Sequence, residues 1–471
     1  MRRLVRMRPS LKTRRNAQNR PNARTQDQPT MSINAIAYDS LEHPPVPRRV
    51  AWTVFAVLFA LMVVDYVDRQ VVVSMFPHLK AAWDLSDRQL GALVSIVSII
   101  VALGAVPISL LADRWSRVKS IFLMALVWSS ATLACAFAGS YSQLLTARGF
   151  VGLGEAAYGT VGVALLATLF PLRMRSTVLG AFLAAATLGS VLGVMLGGFI
   201  AERWGWQAGF GAVGLPGILL AFLVLLIVRD YKTVALPRAD RSVSKAKVSA
   251  RVIVAELMRP RTALITCLGA GFNLLVVSTV WAWLPSYFNR YYGLAPDHAG
   301  AKTALVVLVS GLGAFLWSML ADRLSASSPR ARLYVPAVAA MLTTMFMIAA
   351  FAWVPPGPAQ FALIVAGGLT MTGSVGPTDA VVIDVIHPGL RATAASILSL
   401  ARNLFGLAGG PLLAGALSDA YGLQVAMSVI PVFCVVATAM FILAARSYPS
   451  DLKRVADEEP AVPPALEASA A

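Results

Sequence analysis

The sequence predicts an all-α polytopic membrane protein, with twelve transmembrane helices in two six-helix halves, on three observations. First, 57% of the 471 residues are hydrophobic and only 13% are charged, against about 25% charged in ordinary soluble domains. A helix needs about 20 to 25 apolar residues to cross the hydrocarbon, so this content fills about twelve spans. Second, the apolar residues fall into two series of runs divided by a polar stretch. Third, short motifs of the first series recur in the second. Such a composition excludes a soluble enzyme, a disordered chain and a disulfide scaffold. The net charge of +17 would point to nucleic acid in a soluble protein. Here the charges sit between apolar runs, so the expected surroundings are a lipid bilayer and no nucleic-acid partner.

The first series of runs covers 50 to 74, 88 to 112, 118 to 139, 142 to 169, 176 to 201 and 206 to 228. The second covers 262 to 288, 299 to 321, 333 to 354, 360 to 384, 392 to 417 and 422 to 445. The expected organisation is a basic N-terminal tail (1–48), a first half (49–229), a cytoplasmic linker (230–261), a second half (262–446) and a C-terminal tail (447–471). L-A-D-R at 111–114 recurs at 320–323, 209 positions on, and G-W-Q at 205–207 is echoed by G-L-Q at 422–424, 217 positions on. Offsets this long span six helices, which is the plan of parallel repeats related by an axis along the membrane normal.

Orientation follows from the Lys and Arg bias of the short loops. Arg114, Arg117 and Lys119, then Arg173 and Arg175, then the linker, then Arg323, Arg330 and Arg332 mark alternate loops as cytoplasmic. The intervening loops at 139–142 and 354–360 carry no charge. Both termini are therefore expected inside, in a multi-pass protein of the plasma membrane (the cell inner membrane in a bacterium), with the first span as an uncleaved anchor. Residues 1–30 hold nine Arg or Lys and no acid before Asp27. They read as a transit peptide, a basic surface tail or a start placed too early, and the last is preferred because Met31 leads directly into the first span.

Cys135, Cys267 and Cys434 lie inside apolar runs, without disulfide or metal spacing, and read as small hydrophobes. The four histidines (His43, His78, His298, His387) fall in loops or flanks, so no intramembrane relay or metal cluster is expected, and no cofactor.

A charge near the bilayer centre costs at least about 2.5 to 3.5 kcal/mol, so each one is expected to face a partner or a watery cavity. D-Y-V-D-R at 65–69 puts Asp65, Asp68 and Arg69 on neighbouring faces of the first helix. Arg148 and Glu155 stand two turns apart on the fourth. If these helices meet, three carboxylates confront two guanidiniums, and the acid left over can take up and release a proton. The alternative is a static ion-pair network that fixes helix packing. Gly189, Gly193, Gly197 and Gly198 form a stripe that permits close helix approach. In the second half Asn273, Asp379, Arg402 and Asn403 are the polar intruders, with Arg402 the candidate anion contact and Asp379 its possible counter-ion.

With the six-plus-six plan and the central basic loop, the L-A-D-R-x-x-R-x-K loop resembles the major facilitator superfamily over residues 48–446. Within it, D-Y-V-D-R-Q at 65–70, A-R-G-F-V-G-L-G-E-A-A-Y at 147–158, V-G-L-P-G at 213–217 and W-L-P-S-Y-F at 283–288 resemble Spinster-like transporters. That family usually has Asn where Asp65 stands, so this site carries an extra carboxylate. The resemblance implies that Asp68 and Glu155 carry the proton; Asp65, the extra carboxylate of the cluster, is a further proton-coupling candidate on its position alone. Arg69, Arg148, Arg402, Asn273 and Tyr158 are the candidate substrate contacts. Asp113, Arg114 and Arg117, with Asp322 and Arg323 in the repeat, are the candidate cytoplasmic gate. Animal Spinster proteins move sphingosine phosphate and lysophospholipids. Sugar-acid and organic-anion symporters of the superfamily share a similar charge set, so the motifs leave lipid and carboxylate both open.

The leading expectation is a monomeric, proton-coupled secondary transporter of a small or amphiphilic anion, lipid-like or carboxylate. One rival is an uncoupled facilitator whose charges only pack helices. Another is a membrane sensor, disfavoured because the tails and linker are too short and polar to fold a signalling module. No G-x-x-x-x-G-K-[ST] phosphate loop occurs, and no nucleophile with a base is visible, so neither an ATP-driven pump nor an enzyme is expected.

Overall fold

The computed structural model describes residues 47–228, 259–386 and 391–458, and every regular element among them is helical. Twelve helical stretches are long and apolar enough to cross a membrane, at the twelve hydropathy runs. The first six spans are built from α1 (Arg48–Ser74), followed by a short α2 (Phe76–Trp83), then α3 (Asp87–Arg114), α4 (Arg117–Ala136), α5 (Tyr141–Glu155), α6 (Tyr158–Leu169), α7 (Leu172–Trp204) and α8 (Trp206–Ile227). The last six are built from α9 (Arg261–Tyr292), α10 (Pro296–Ser325), α11 (Ala331–Ile348), α12 (Pro358–Met371), α13 (Val375–Asp384), α14 (Arg391–Ala401), α15 (Gly409–Tyr421), α16 (Leu423–Val429) and α17 (Phe433–Glu458). The N-terminal tail up to residue 46, the linker up to residue 258 and the chain beyond residue 458 lie outside the described residues, while α17 carries the last helix through residues 447–458 of the expected C-terminal tail.

Five spans depart from the continuous helices that hydropathy suggests, of which the ninth ends in a π-turn at Ala349–Trp353 and the twelfth passes through a 3-10 turn at Ile430–Val432. The fourth breaks between Glu155 and Tyr158 although no proline is present. Its turn lies beside Gly154, where a Cβ would come within 2.5 Å of the Trp128 backbone nitrogen. The tenth breaks between Met371 and Val375, where the Thr372 hydroxyl donates to the Ser310 carbonyl at 2.5 Å. The eleventh widens into a π-turn at Arg402–Ala408. Such a turn leaves carbonyls without their usual partners, and here neighbouring hydroxyls supply them. Ser278 donates to Gly406 O at 2.9 Å and Ser95, from the first half, donates to Ala408 O at 2.6 Å. Hydropathy does not register these breaks, because a window long enough to span the membrane stays apolar on average across them.

The glycine stripe does what its spacing suggests. Cβ atoms on Gly189, Gly193 and Gly197 would meet the carbonyl oxygens of Val63, Val67 and Val71 at 2.5, 2.7 and 2.7 Å. Thus α7 lies directly on the backbone of α1, along the stretch that carries Asp65, Asp68 and Arg69.

The two sets of six helices close on each other at one end, away from the 114–117 loop. There a Cβ on Gly91 would fall 2.3 Å from Pro411 O, and one on Gly198 2.3 Å from Pro296 O. Asp87, only 2% exposed, ties this end together. Arg290 of α9 approaches its carboxylate with two nitrogens, at 2.5 and 2.7 Å, and Lys80 of α2 donates at 2.6 Å. Ser418 of α15 donates to the same carboxylate. The next residue, Asp419, accepts from the backbone N–H groups of Asp87 and Arg88 at 2.7 and 2.9 Å. A carboxylate from one half thereby caps a helix N-terminus of the other, where the helix dipole favours negative charge.

Candidate functional site

The site is assembled from α1, α5 and α4, with α9 and the eleventh span opposite. Asp65, Asp68, Arg148 and Glu155 are all at least 97% buried, so each must find its partner inside the protein. Arg69 Nη2 stands 2.9 Å from Glu155 Oε2 and its Nε 3.8 Å from Asp65 Oδ1. Arg148 Nη1 reaches Asp68 Oδ1 at 3.4 Å and also donates to the Asp68 carbonyl at 3.4 Å. The five charges expected to meet do meet. Glu155 and Asp65 share one guanidinium, and neither Asp65 Oδ1 nor either Glu155 carboxylate oxygen has a partner in good hydrogen-bond geometry among the described residues.

The shortest contact of Asp68 is not to an arginine. The Thr132 hydroxyl of α4 lies 2.8 Å from Asp68 Oδ2, and sequence reasoning missed it because one threonine in an apolar run carries no distinguishing pattern. Arg69 also lies over the Tyr66 ring, 5.3 Å from its centroid.

A cleft between the halves is lined on the first-half side by Tyr66, Arg69, Gln70 and Arg148, and on the other by Ser278, Trp281 and Leu407. The remaining wall is Ser98 and the apolar Val73, Val94, Val97, Ala282 and Pro411. The arrangement offers a polar, cationic end and an apolar body. Gln70 and Trp281 line it without having stood out in the sequence; glutamine on a helix that also carries Asp68 and Arg69 was the available signal.

Other candidates lie elsewhere. Tyr158 is fully buried against Trp128, and its hydroxyl donates to Leu58 O at 2.6 Å, which occupies it in packing α6 on α1. Asn273 donates to Met371 O at 2.8 Å and is 2% exposed. Arg402 pairs with Asp379 at 2.7 Å and donates to Val375 O and the Thr378 hydroxyl, so Asp379 is its counter-ion. None of these three lines the cleft described above. At the expected gate, the side chains of Asp113 and Arg114 lie outside what is described. Arg117 donates to Ala164 O at 3.4 Å. In the repeat, Asp322 lies 3.9 Å from Arg332, which also binds Asp384, and Arg323 is exposed. All three cysteines are buried and unpaired. Of the histidines expected in loops or flanks, His78 sits in the short α2 with Nε2 3.6 Å from Glu202 and His298 in the first turn of α10, while His43 and His387 lie outside the described residues. Among the described residues no cluster of metal-ligating side chains exists.

The model of the Major Facilitator Superfamily matches residues 58–275 and again 266–470. Protein spinster of Drosophila melanogaster is 25% identical over 384 residues, covering 79% of this chain and 62% of that protein, so the chain spans under two thirds of that relative's length. The sphingosine-1-phosphate transporter SPNS2 of Mus musculus is 26% identical over 388 residues, covering 77% of this chain and 69% of that protein. A crystal structure of a bacterial homolog to the human lysosomal transporter Spinster, inward-facing and unoccupied, superposes with a TM-score of 0.78 at 23% identity, over 86% of this chain and 99% of that one.

Proposed function

The chain belongs to the Major Facilitator Superfamily, a class of secondary transporters, and on that premise we propose that it is a proton-coupled carrier of an amphiphilic anion working by alternating access. One observation carries the coupling. Three buried carboxylates face two guanidiniums, with Asp65 and Glu155 both turned to Arg69. Buried charges are tolerated only when compensated, and a bound proton removes the surplus. Release of that proton restores a negative charge beside the cleft, which weakens the hold on an anion. Proton and substrate are linked in this way through Arg69 and Arg148.

The substrate class follows from the cleft walls. A sugar acid needs hydrogen-bond partners for each hydroxyl, because unpaired polar groups are costly in a dry site. The aliphatic wall of Val73, Val94, Val97 and Leu407 suits an alkyl chain behind a compact anionic headgroup, as in a lysolipid. The closed end seen here is then the outer face, and the basic loops, both termini and the linker are cytoplasmic, in a monomer of the cytoplasmic membrane.

The test uses Glu155→Gln and Asp68→Asn in proteoliposomes supplied with a panel of lysolipids, organic anions and sugar acids. The amides keep the shape and remove the titrating charge. Both variants should stay folded and keep substrate exchange, yet lose accumulation driven by a pH gradient. If both are well folded and accumulate substrate with the parent's pH dependence, coupling at these residues is excluded and an uncoupled facilitator remains. A static network predicts instead a loss of about 3 to 5 kcal/mol of stability on breaking a buried pair.

A further inference from the structure

We infer that Thr132 is a positioning residue for the proton on Asp68, a hydroxyl that serves the acid in both of its protonation states. The inference rests on the reading of Asp68 as a proton carrier. Its basis is the geometry around one oxygen. Thr132 Oγ1 lies 2.8 Å from Asp68 Oδ2 and 2.9 Å from the carbonyl oxygen of Trp128, one turn back on the same helix. A threonine hydroxyl has a single hydrogen and two lone pairs, so it donates to one of these two acceptors at a time.

When Asp68 is ionised, Thr132 gives its hydrogen to the carboxylate. When a proton arrives, an O–H bond forms on Asp68 and donates to Thr132, whose own hydrogen turns to Trp128 O. No bond of Thr132 breaks, and the Thr132 oxygen remains bonded in both states. The turned hydrogen lands on an acceptor already in range, as helical threonines commonly do with the carbonyl four residues back. Thr132 and Asp68 are both 0% exposed, so no water is needed to satisfy either state. A buried acid without such a partner would leave a polar group unpaired in one state, and that cost would resist the titration.

The charged and titratable groups facing Asp68 are few. Asp65 and Arg69 come from its own helix, Arg148 and Glu155 from α5, and Cys135 from α4. Arg148, at 3.4 Å, approaches Oδ1, whereas Thr132 holds Oδ2. The two carboxylate oxygens therefore have separate duties, one for charge and one for the proton.

Infrared titration of the purified full chain tests this without a substrate, by following the protonated-carboxyl band that Asp68→Asn removes. In Thr132→Val the protonated Asp68 has lost the acceptor for its O–H, and the band should move to higher frequency. Thr132→Ser should keep the parent's frequency. Thr132→Ala, which sets no methyl against Asp68, should behave as the valine variant and covers the case in which that variant does not fold. An Asp68 band whose frequency is the same in the parent, the valine and the alanine variants would overturn the role of Thr132 alone. Absence of any Asp68-dependent band in the parent would instead overturn the proton reading of Asp68 itself.

Discussion

At the scale of single residues, Asp65 has the longer ion-pair contact of the two acids that share Arg69. Arg69 stands 2.9 Å from Glu155 but 3.8 Å from Asp65, so the guanidinium they share compensates Asp65 less closely than Glu155. Replacing Asp65 by the isosteric amide leaves two carboxylates facing two guanidiniums. Asp65→Asn should therefore raise stability by about 1 kcal/mol, the order of one hydrogen bond gained or one unpaired group removed. Thermal unfolding of the purified protein measures it, and a destabilised variant would show that Asp65 is a needed partner of Arg69. The five charges of this cluster were legible in the sequence because charge in an apolar run is conspicuous. Thr132 was not, since a hydroxyl in such a run is ordinary and only the third dimension sets it against Asp68.

Among elements, the two ends of the bundle differ in how readable they are. The twelve runs follow from hydropathy alone, and the α7 stripe from glycine spacing. The breaks in the fourth and tenth spans and the π-turn of the eleventh depend on contacts made by other helices, such as Ser95 and Ser278 with the eleventh-span carbonyls. The Asp87 cluster was also hidden. Asp87 is the first helical residue within a Ser86–Gln89 capping box and Arg290 lies in the last turn of α9, so each looks like ordinary helix-end chemistry. Together they join the halves. Arg290→Gln or Asp419→Asn should loosen that end, whereas Lys80→Gln, whose lysine belongs to the same half as Asp87, should not. With Gln70→Cys as a probe in the cleft, labelling by an impermeant maleimide from the outer side should speed up about tenfold, the effect of some 1.4 kcal/mol. Equal rates in all three variants would contradict the latch.

For the whole molecule, the two-half plan was visible from the recurrence of L-A-D-R and the polar stretch between the series, and the family match falls into two segments as well. The orientation proposed from the loop charges has its own check. Ser244→Cys in the linker should be silent to an impermeant maleimide in intact cells and react after permeabilisation. The native Cys135, Cys267 and Cys434 are at least 95% buried, which keeps the background low. Reaction in intact cells would invert the topology and, with it, the assignment of the closed end as outer.

The break after Glu155 bears on how a transporter handles charge. On one flank Gly154 is seated on the backbone of α4, and on the other the Tyr158 hydroxyl is tied to Leu58 O of α1. Glu155 thus hangs from a short stretch of chain pinned at both ends by uncharged contacts. The place of its backbone is set by packing, while its carboxylate faces Arg69 at 2.9 Å. On the proposed reading, a proton on Glu155 comes and goes with this stretch of backbone standing still. The energy of the event then goes into the electric field across the cleft and little of it into rearranging the wall, which is the economy that preorganised polar sites provide.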